Sequence, residues 1–170
     1  VPAGRVASLG LVLIWSPPRQ RWAELVPIEE AADGMFAEHG ITFPPGNFLD
    51  FGSTVDSVLA DGDPPVGFAA LGPVDGGTHL YQLAVHPAHG RRGHGSALLR
   101  AVVAKASDGV TLTTFRDVPW NAPWYVREGF EVYQPAPASG VALILEHERD
   151  AGLFELGARV AMRRRPPTGG

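Results

Sequence analysis

A glycine-rich turn set between two apolar runs is the segment of this 170-residue chain best suited to chemistry. Leu83-Ala84-Val85-His86-Pro87 reads as a strand and its end, Ala88-His89-Gly90-Arg91-Arg92-Gly93-His94-Gly95-Ser96 as a turn, and Ala97-Leu98-Leu99 as the start of a helix. A helix that opens out of a turn leaves several backbone N–H groups unpaired and carries about half a positive charge at that end, which favours phosphate oxygens. Gly93 and Gly95 allow close backbone approach, and Arg91 and Arg92 add charge. These residues predict a cradle for a pyrophosphate. An ordinary surface loop capping a helix is the plainer alternative.

Spacing separates the known kinds of cradle. A P-loop places Lys after its second glycine, and the chain's one lysine is Lys105. A dinucleotide fingerprint needs a third glycine at position 98, which is Leu98. The frame Gly90-Arg91-Arg92-Gly93-His94-Gly95 instead resembles [Q/R]-x-x-G-x-[G/A], the signature of the GNAT superfamily of N-acetyltransferases. Gly90 departs from the pattern where Gln or Arg is usual, with Arg91 and Arg92 beside it to supply charge. Downstream, Asp117-Val118-Pro119-Trp120-Asn121-Ala122-Pro123-Trp124-Tyr125-Val126-Arg127-Glu128-Gly129-Phe130 resembles the superfamily's Asn-bearing loop and short Tyr-bearing helix ending in Gly-Phe. Pro123 suits a first helical turn and Gly129 a left-handed stop. The resemblance is close over residues 54–134 and loose at both ends.

That resemblance implies an acetyl-CoA-dependent N-acetyltransferase that moves the acetyl group directly to an amine in a ternary complex, with no metal. By resemblance, the main chain of Leu83, Ala84 and Val85 contacts the pantetheine arm and the acetyl oxygen. Arg91, Arg92, Gly93, His94, Gly95 and Ser96 take the pyrophosphate, and Asn121 contacts the coenzyme. Tyr125 stands where many members place a general acid near the sulfur. His79, four residues before Leu83, stands where some members place the base. Strand period puts His79, Tyr81, Leu83 and Val85 on one face, and an imidazole with a reference pKa near 6.5 suits proton removal. An exposed strand-end histidine is the alternative, with Glu29 and Glu30 in reserve as base. His86, His89 and His94 read as the mouth of the coenzyme site rather than a metal set, since no carboxylate or Cys completes one nearby.

The resemblance implies a small-molecule or peptide amine as acceptor, bound about residues 22–52. Phe43, Phe48 and Phe51 suggest an apolar wall there, and Glu29, Glu30 and Asp50 could attract an amine. Two other classes stay open: a coenzyme-binding sensor or interaction module without turnover, and an unrelated phosphate-binding protein that would take nucleotides. The absence of an acidic base on the strand before the turn favours the sensor.

Composition bounds the rest. Hydrophobic residues make up 45% and charged ones 19%, as in soluble globular proteins. A formal net charge of -4 argues against a nucleic-acid or polybasic membrane binder, and Arg163-Arg164-Arg165 reads as a solvated strand end. There is no cysteine, which excludes disulfides and thiolate chemistry. The apolar run at 9–15 is too short to cross a bilayer and no small-residue cleavage site follows it, so it reads as a first strand. A cytoplasmic protein is expected, and the resemblance allows a second copy of the chain as a partner.

The elements that must position these groups follow from periodicity. Residues 25–39 read as a helix with Leu25, Ile28, Ala32, Met35 and Phe36 at helical spacing, ended by Gly40. Residues 43–52 read as a loop or short helix. Strands are expected at 55–60, 66–71 and 78–86 as an antiparallel meander, then a helix at 96–106, strands at 110–116 and 130–133, a helix at 141–152 and an edge strand at 159–164. The sum is one α+β domain over residues 1–170, with a mixed, mostly antiparallel sheet flanked by helices.

Overall fold

The computed structural model of the chain describes residues 12–168. Its strands are β1 (Ile14–Trp15), β2 (Ser57–Asp61), β3 (Gly67–Val74), β4 (Gly77–Val85), β5 (Val110–Phe115), β6 (Glu131–Tyr133) and β7 (Arg159–Arg164). They form one seven-stranded sheet in the order β1-β2-β3-β4-β5-β7-β6. Every neighbouring pair is antiparallel except β4 and β5, which run parallel. The helices are α1 (Val26–Asp33), α2 (His94–Lys105), α3 (Ala122–Arg127), α4 (Gly140–Asp150) and α5 (Leu153–Leu156). The expected mixed α+β architecture is the one observed.

Hydrophobic burial divides along the two faces of the sheet. On one face Leu98, Leu99 and Val102 of α2 pack with Leu59, Leu71, Leu80 and Leu112, joined by Tyr125 and Phe130. On the other, Leu25 and Ile28 pack with Phe48, Val58, Phe68 and Ala84. No helix among the described residues is long and apolar enough to cross a membrane.

Several sequence expectations are corrected. The helix expected at 25–39 is three segments: a 3-10 helix at Arg19–Leu25, α1, and a second 3-10 helix at Gly34–His39. Gly34 weakens the α-helix at the point where it tightens, because glycine is a poor residue for a helix interior. Gly40 does end the run, at φ 71°. Met35, expected in the stripe, is exposed. Residues 43–52 contain the start of a 3-10 helix, Phe48–Thr54, opened by a reciprocal cap between Asn47 and Asp50 and kinked at Gly52, φ 57°. Strand β7 is not an edge strand, since β5 and β6 flank it on either side. Of the first strand expected at 9–15, only Ile14 and Trp15 are strand, and residues 9–11 lie outside the described residues.

The correction that matters most for function is in β4. Ala70 faces Gln82 and Leu71 faces Leu80, so Tyr81 is an extra, bulged residue. The bulge resets the side-chain alternation. Leu80, Leu83 and Val85 pack on the α2 face, while Tyr81 and Ala84 pack on the α1 face. His79, Tyr81, Leu83 and Val85 therefore do not share one face as strict period two predicts.

Candidate active site

Strands β4 and β5 pair at only two positions, Thr78 with Val110 and His79 with Thr111, and then part. The N–H of His86 donates to Val66 O at 2.8 Å, on the β3 side. Backbone groups along a strand point to alternate edges, so Ala84 also turns toward β3, while Leu83 and Val85 present their N–H and C=O groups to the gap. Ala84, expected among the contacting residues, is instead committed to β3, and its methyl group is buried.

Beyond the gap the chain makes a 3-10 turn, Pro87–His89, and then the glycine turn. Arg91 sits at φ 59° and Gly93, the residue before α2, at φ 85°. A non-glycine residue held in the left-handed region costs of order 1 kcal/mol and marks turns with a task, and such turns gather N–H groups into anion-binding concavities. Both Arg91 and Arg92 are exposed, and neither enters an ion pair among the described residues. A Cβ built on Gly95 would lie 3.6 Å from the Trp124 ring and 3.9 Å from Val85, so this glycine is where the end of β4, the start of α2 and α3 meet. Ser96 fastens the same corner by donating its hydroxyl to Glu128 at 2.7 Å.

His94 points its ring into the sheet, with Nδ1 2.6 Å from Oδ2 of Asp61. Asp61 is only 1% exposed, and its other oxygen accepts from the N–H of Leu13. The imidazole orientation in the turn is thus fixed from β2. Nothing in the spacing of Asp61 and His94 announces the pair. The rings of His86, His89 and His94 follow one another at 6.2 and 6.3 Å.

Asn121 precedes α3 and makes no side-chain cap, leaving its amide uncommitted to the helix. Tyr125, four residues on, has its ring packed edge-on to Trp124 and Phe130. The ring is buried in the core on the α2 face. Burial of the ring pushes the phenol's pKa well up, keeping it protonated.

His79 is where the sequence reading needs its largest correction. It is 1% exposed, with Nδ1 2.8 Å from the Thr111 hydroxyl and its ring 4.7 Å from that of Tyr81. Burial pulls its pKa down to about 4. It is neither an exposed strand-end histidine nor open to an amine. Glu29 also leaves the surface: its carboxylate accepts from the N–H of Phe48 at 2.9 Å and from Gln82 Nε2 at 2.8 Å, and burial raises its pKa. That last bond ties α1 to β4 beside Leu83, where β4 leaves β5.

Of the expected apolar wall, Phe48 is core and Phe51 is an exposed ring against Tyr81. Asp50 is used by the Asn47 cap. Phe43 alone lines a cavity of about 270 Å³, together with Glu30, Asp33, Ala37 and Ile41. Asp33 was overlooked in the sequence, although carboxylates at 29, 30 and 33 crowd one helical turn, where like charges repel. That crowding is a readable signal.

Residues 54–132, which run from the end of the 3-10 segment before β2 into β6, match the family model described as Acetyltransferase (GNAT) domain. An acetyltransferase of the GNAT family from Staphylococcus aureus Mu50 aligns with 91% of this chain and 98% of its own, at 16% identity and a TM-score of 0.66. The ribosomal-protein-S18-alanine N-acetyltransferase of Escherichia coli aligns over 94% and 97%, at 17% identity and a TM-score of 0.64. N-acetylglutamate synthase from Neisseria gonorrhoeae, complexed with coenzyme A and N-acetyl-glutamate, aligns over 91% of this chain and 35% of its own, at 18% identity and a TM-score of 0.63. These likenesses are of fold, and the matched segment contains β2 to β5, α2 and α3, every element around the gap and the turn. Over residues 54–132 the chain carries a GNAT acetyltransferase domain match, and its fold is the one shared by these acetyltransferases.

Proposed function

We propose that the chain moves an acetyl group from acetyl-CoA to the nitrogen of a small-molecule or peptide amine, with donor and acceptor bound together. The observation that carries this reading is the parting of β4 from β5 after His79. It leaves the backbone of Leu83 and Val85 open along a gap that ends at the glycine turn. A pantetheine arm carries amides that pair with such groups as an added strand would, and a pyrophosphate suits the N–H groups and paired arginines at the start of α2. The coenzyme A bound to the Neisseria relative supports the same donor class.

The thioester supplies an acyl carbon joined to a good leaving group. The amine nitrogen bonds to that carbon as the C–S bond breaks, so nitrogen must shed a proton and sulfur must gain one. Backbone N–H groups in the gap polarise the acyl oxygen, since donors fixed in a dry site act strongly on developing charge. Tyr125, kept neutral by burial, donates the proton to sulfur. His79 is sealed and too weakly basic for the other half of the exchange, which passes to the carboxylates of α1. Asn121 positions the coenzyme from the start of α3.

Two measurements test the reading. Calorimetry should find acetyl-CoA bound, with Arg91→Ala plus Arg92→Ala weakening it about tenfold and less so at high salt. A thiol-release assay over a broad amine panel should find turnover. No acetyl-CoA uptake, or uptake without thiol release from any amine, would defeat the proposal.

A further inference from the structure

The cavity beside α1 combines two kinds of wall. Its apolar lining comes from Ala37, Ile41, Phe43 and Pro44. Phe43 belongs in turn to a cluster of rings, lying 5.0 Å from Phe36 and 5.9 Å from Phe115, with Phe36 5.2 Å from Trp120. Phe115 is the last residue of β5, and Trp120 precedes Asn121. The ring cluster thus joins the cavity to the far wall of the gap. Glu30 and Asp33 line it as well, and among the described residues neither enters an ion pair. Burial, together with the charges of Glu29 and Glu30, raises Asp33's pKa to about 6. A cation placed there would meet Asp33 and Glu30 together.

We infer that this cavity takes the acceptor, and that the acceptor is a primary ammonium joined to one aromatic or similarly bulky apolar group, its charge on Asp33 and Glu30 and its body against Phe43 and Ile41. The volume, about 270 Å³, is at the small end of ligand pockets and suits a single ring with a short amine arm. A carboxylate-bearing acceptor such as an amino acid is repelled by the same pair. The inference rests on the acetyl-transfer reading for its chemistry. The bound ammonium gives up one proton to become a nucleophile and a second as its C–N bond forms and the C–S bond breaks. One proton ends on sulfur and the other is released.

The test separates charge from shape and binding from catalysis. Protein saturated with coenzyme A, which cannot turn over, is titrated calorimetrically with 2-phenylethylamine, with its neutral isostere 2-phenylethanol, and with glutamate. The amine should bind at least about tenfold more tightly than the alcohol, and Asp33→Asn should erase that difference while leaving the alcohol's affinity alone. Phe43→Leu should weaken amine and alcohol alike, and glutamate should give no heat. Equal binding of amine and alcohol by the unaltered chain, an undiminished difference in Asp33→Asn, or preference for glutamate would overturn the inference. If coenzyme A itself fails to bind, the acetyl-transfer reading falls. The amine-against-alcohol comparison in the free protein then still decides whether the cavity is a cation site.

Discussion

The two sides of the β4–β5 gap are built by different means. On the side proposed for the donor, β4, the glycine turn, α2 and α3 offer mainly backbone: the open edge of Leu83 and Val85, the left-handed Arg91 and Gly93, and the unpaired N–H groups of α2. On the side proposed for the acceptor, residues 19–54 follow a broken path through 3-10 segments and offer side chains: Asp33, Glu30 and Phe43 around a cavity. A backbone site needs glycines at fixed spacing and little else. A side-chain site can be built from many sequences, because its walls depend on how the chain folds back. The family match begins at residue 54, where the segment proposed for the acceptor ends.

The two sides are joined at a seam, and breaking it should have the largest effect. A Cβ on Gly72 of β3 would lie 2.0 Å from the carbonyl oxygen of Thr54 and 3.0 Å from the ring of Tyr81. One of these neighbours is backbone, so the clash cannot be relieved by a rotamer change. Gly72→Ala should destabilise the fold by about 3 kcal/mol or more, measured by urea unfolding. An unchanged midpoint would mean that the acceptor segment rides freely on the sheet.

Within the donor side, Tyr125→Phe keeps the packed ring and removes only the hydroxyl. Thiol release should fall about a hundredfold or more with acetyl-CoA affinity unchanged. Equal turnover would reduce Tyr125 to packing and leave the donor side a purely backbone device.

The difference in construction also explains what could be read in advance. The glycine turn, the α2 stripe of Leu98, Leu99 and Val102, and the Pro123-to-Gly129 helix were legible because local spacing specifies them. His79 was misplaced because one extra residue, Tyr81, shifts the phase of β4, and a bulge leaves no sequence mark of its own. Phe48 was read as a pocket wall and is core, since composition cannot tell which of three phenylalanines turns inward. The Asp61–His94 and Glu29–Gln82 pairs join residues 33 and 53 positions apart, and neither follows from spacing. Asp33 does leave a mark in the sequence, because carboxylates at 29, 30 and 33 on one turn repel one another.

His79 and Asp33 allow the comparison to be sharpened by pH, because burial acts on them in opposite directions. In the fold, burial holds the His79 pKa near 4, against about 6.5 when exposed. Between those values the unfolded chain takes up a proton that the folded chain refuses. Stability from this group is therefore present above pH 6.5 and lost as pH falls toward 4, by about 2 to 3 kcal/mol. His79→Asn, which can keep a bond to Thr111, should flatten this slope in unfolding curves taken from pH 7 to 4. A slope that survives intact would place its origin elsewhere.

Asp33 should give the smaller effect and the opposite sign. Its folded pKa is raised to about 6 from an ordinary value near 3.8, so the folded chain holds a proton that the unfolded chain has lost. The group's contribution is full below pH 3.8 and disappears as pH rises through 6, leaving a charged, crowded carboxylate in the fold at neutral pH. Asp33→Asn removes that charge at nearly constant shape. The variant should therefore gain stability over the unaltered protein as pH rises from 4 to 7, by about 1 kcal/mol because the cavity is open to water and screens the charge. Unfolding midpoints at pH 4, 5.5 and 7 decide the matter, and a constant difference between the two proteins would mean that Asp33 titrates like an exposed carboxylate. A pH-dependent gain would show that the acceptor side carries a stability cost at this residue, as expected of a site that keeps a charge in place for a ligand.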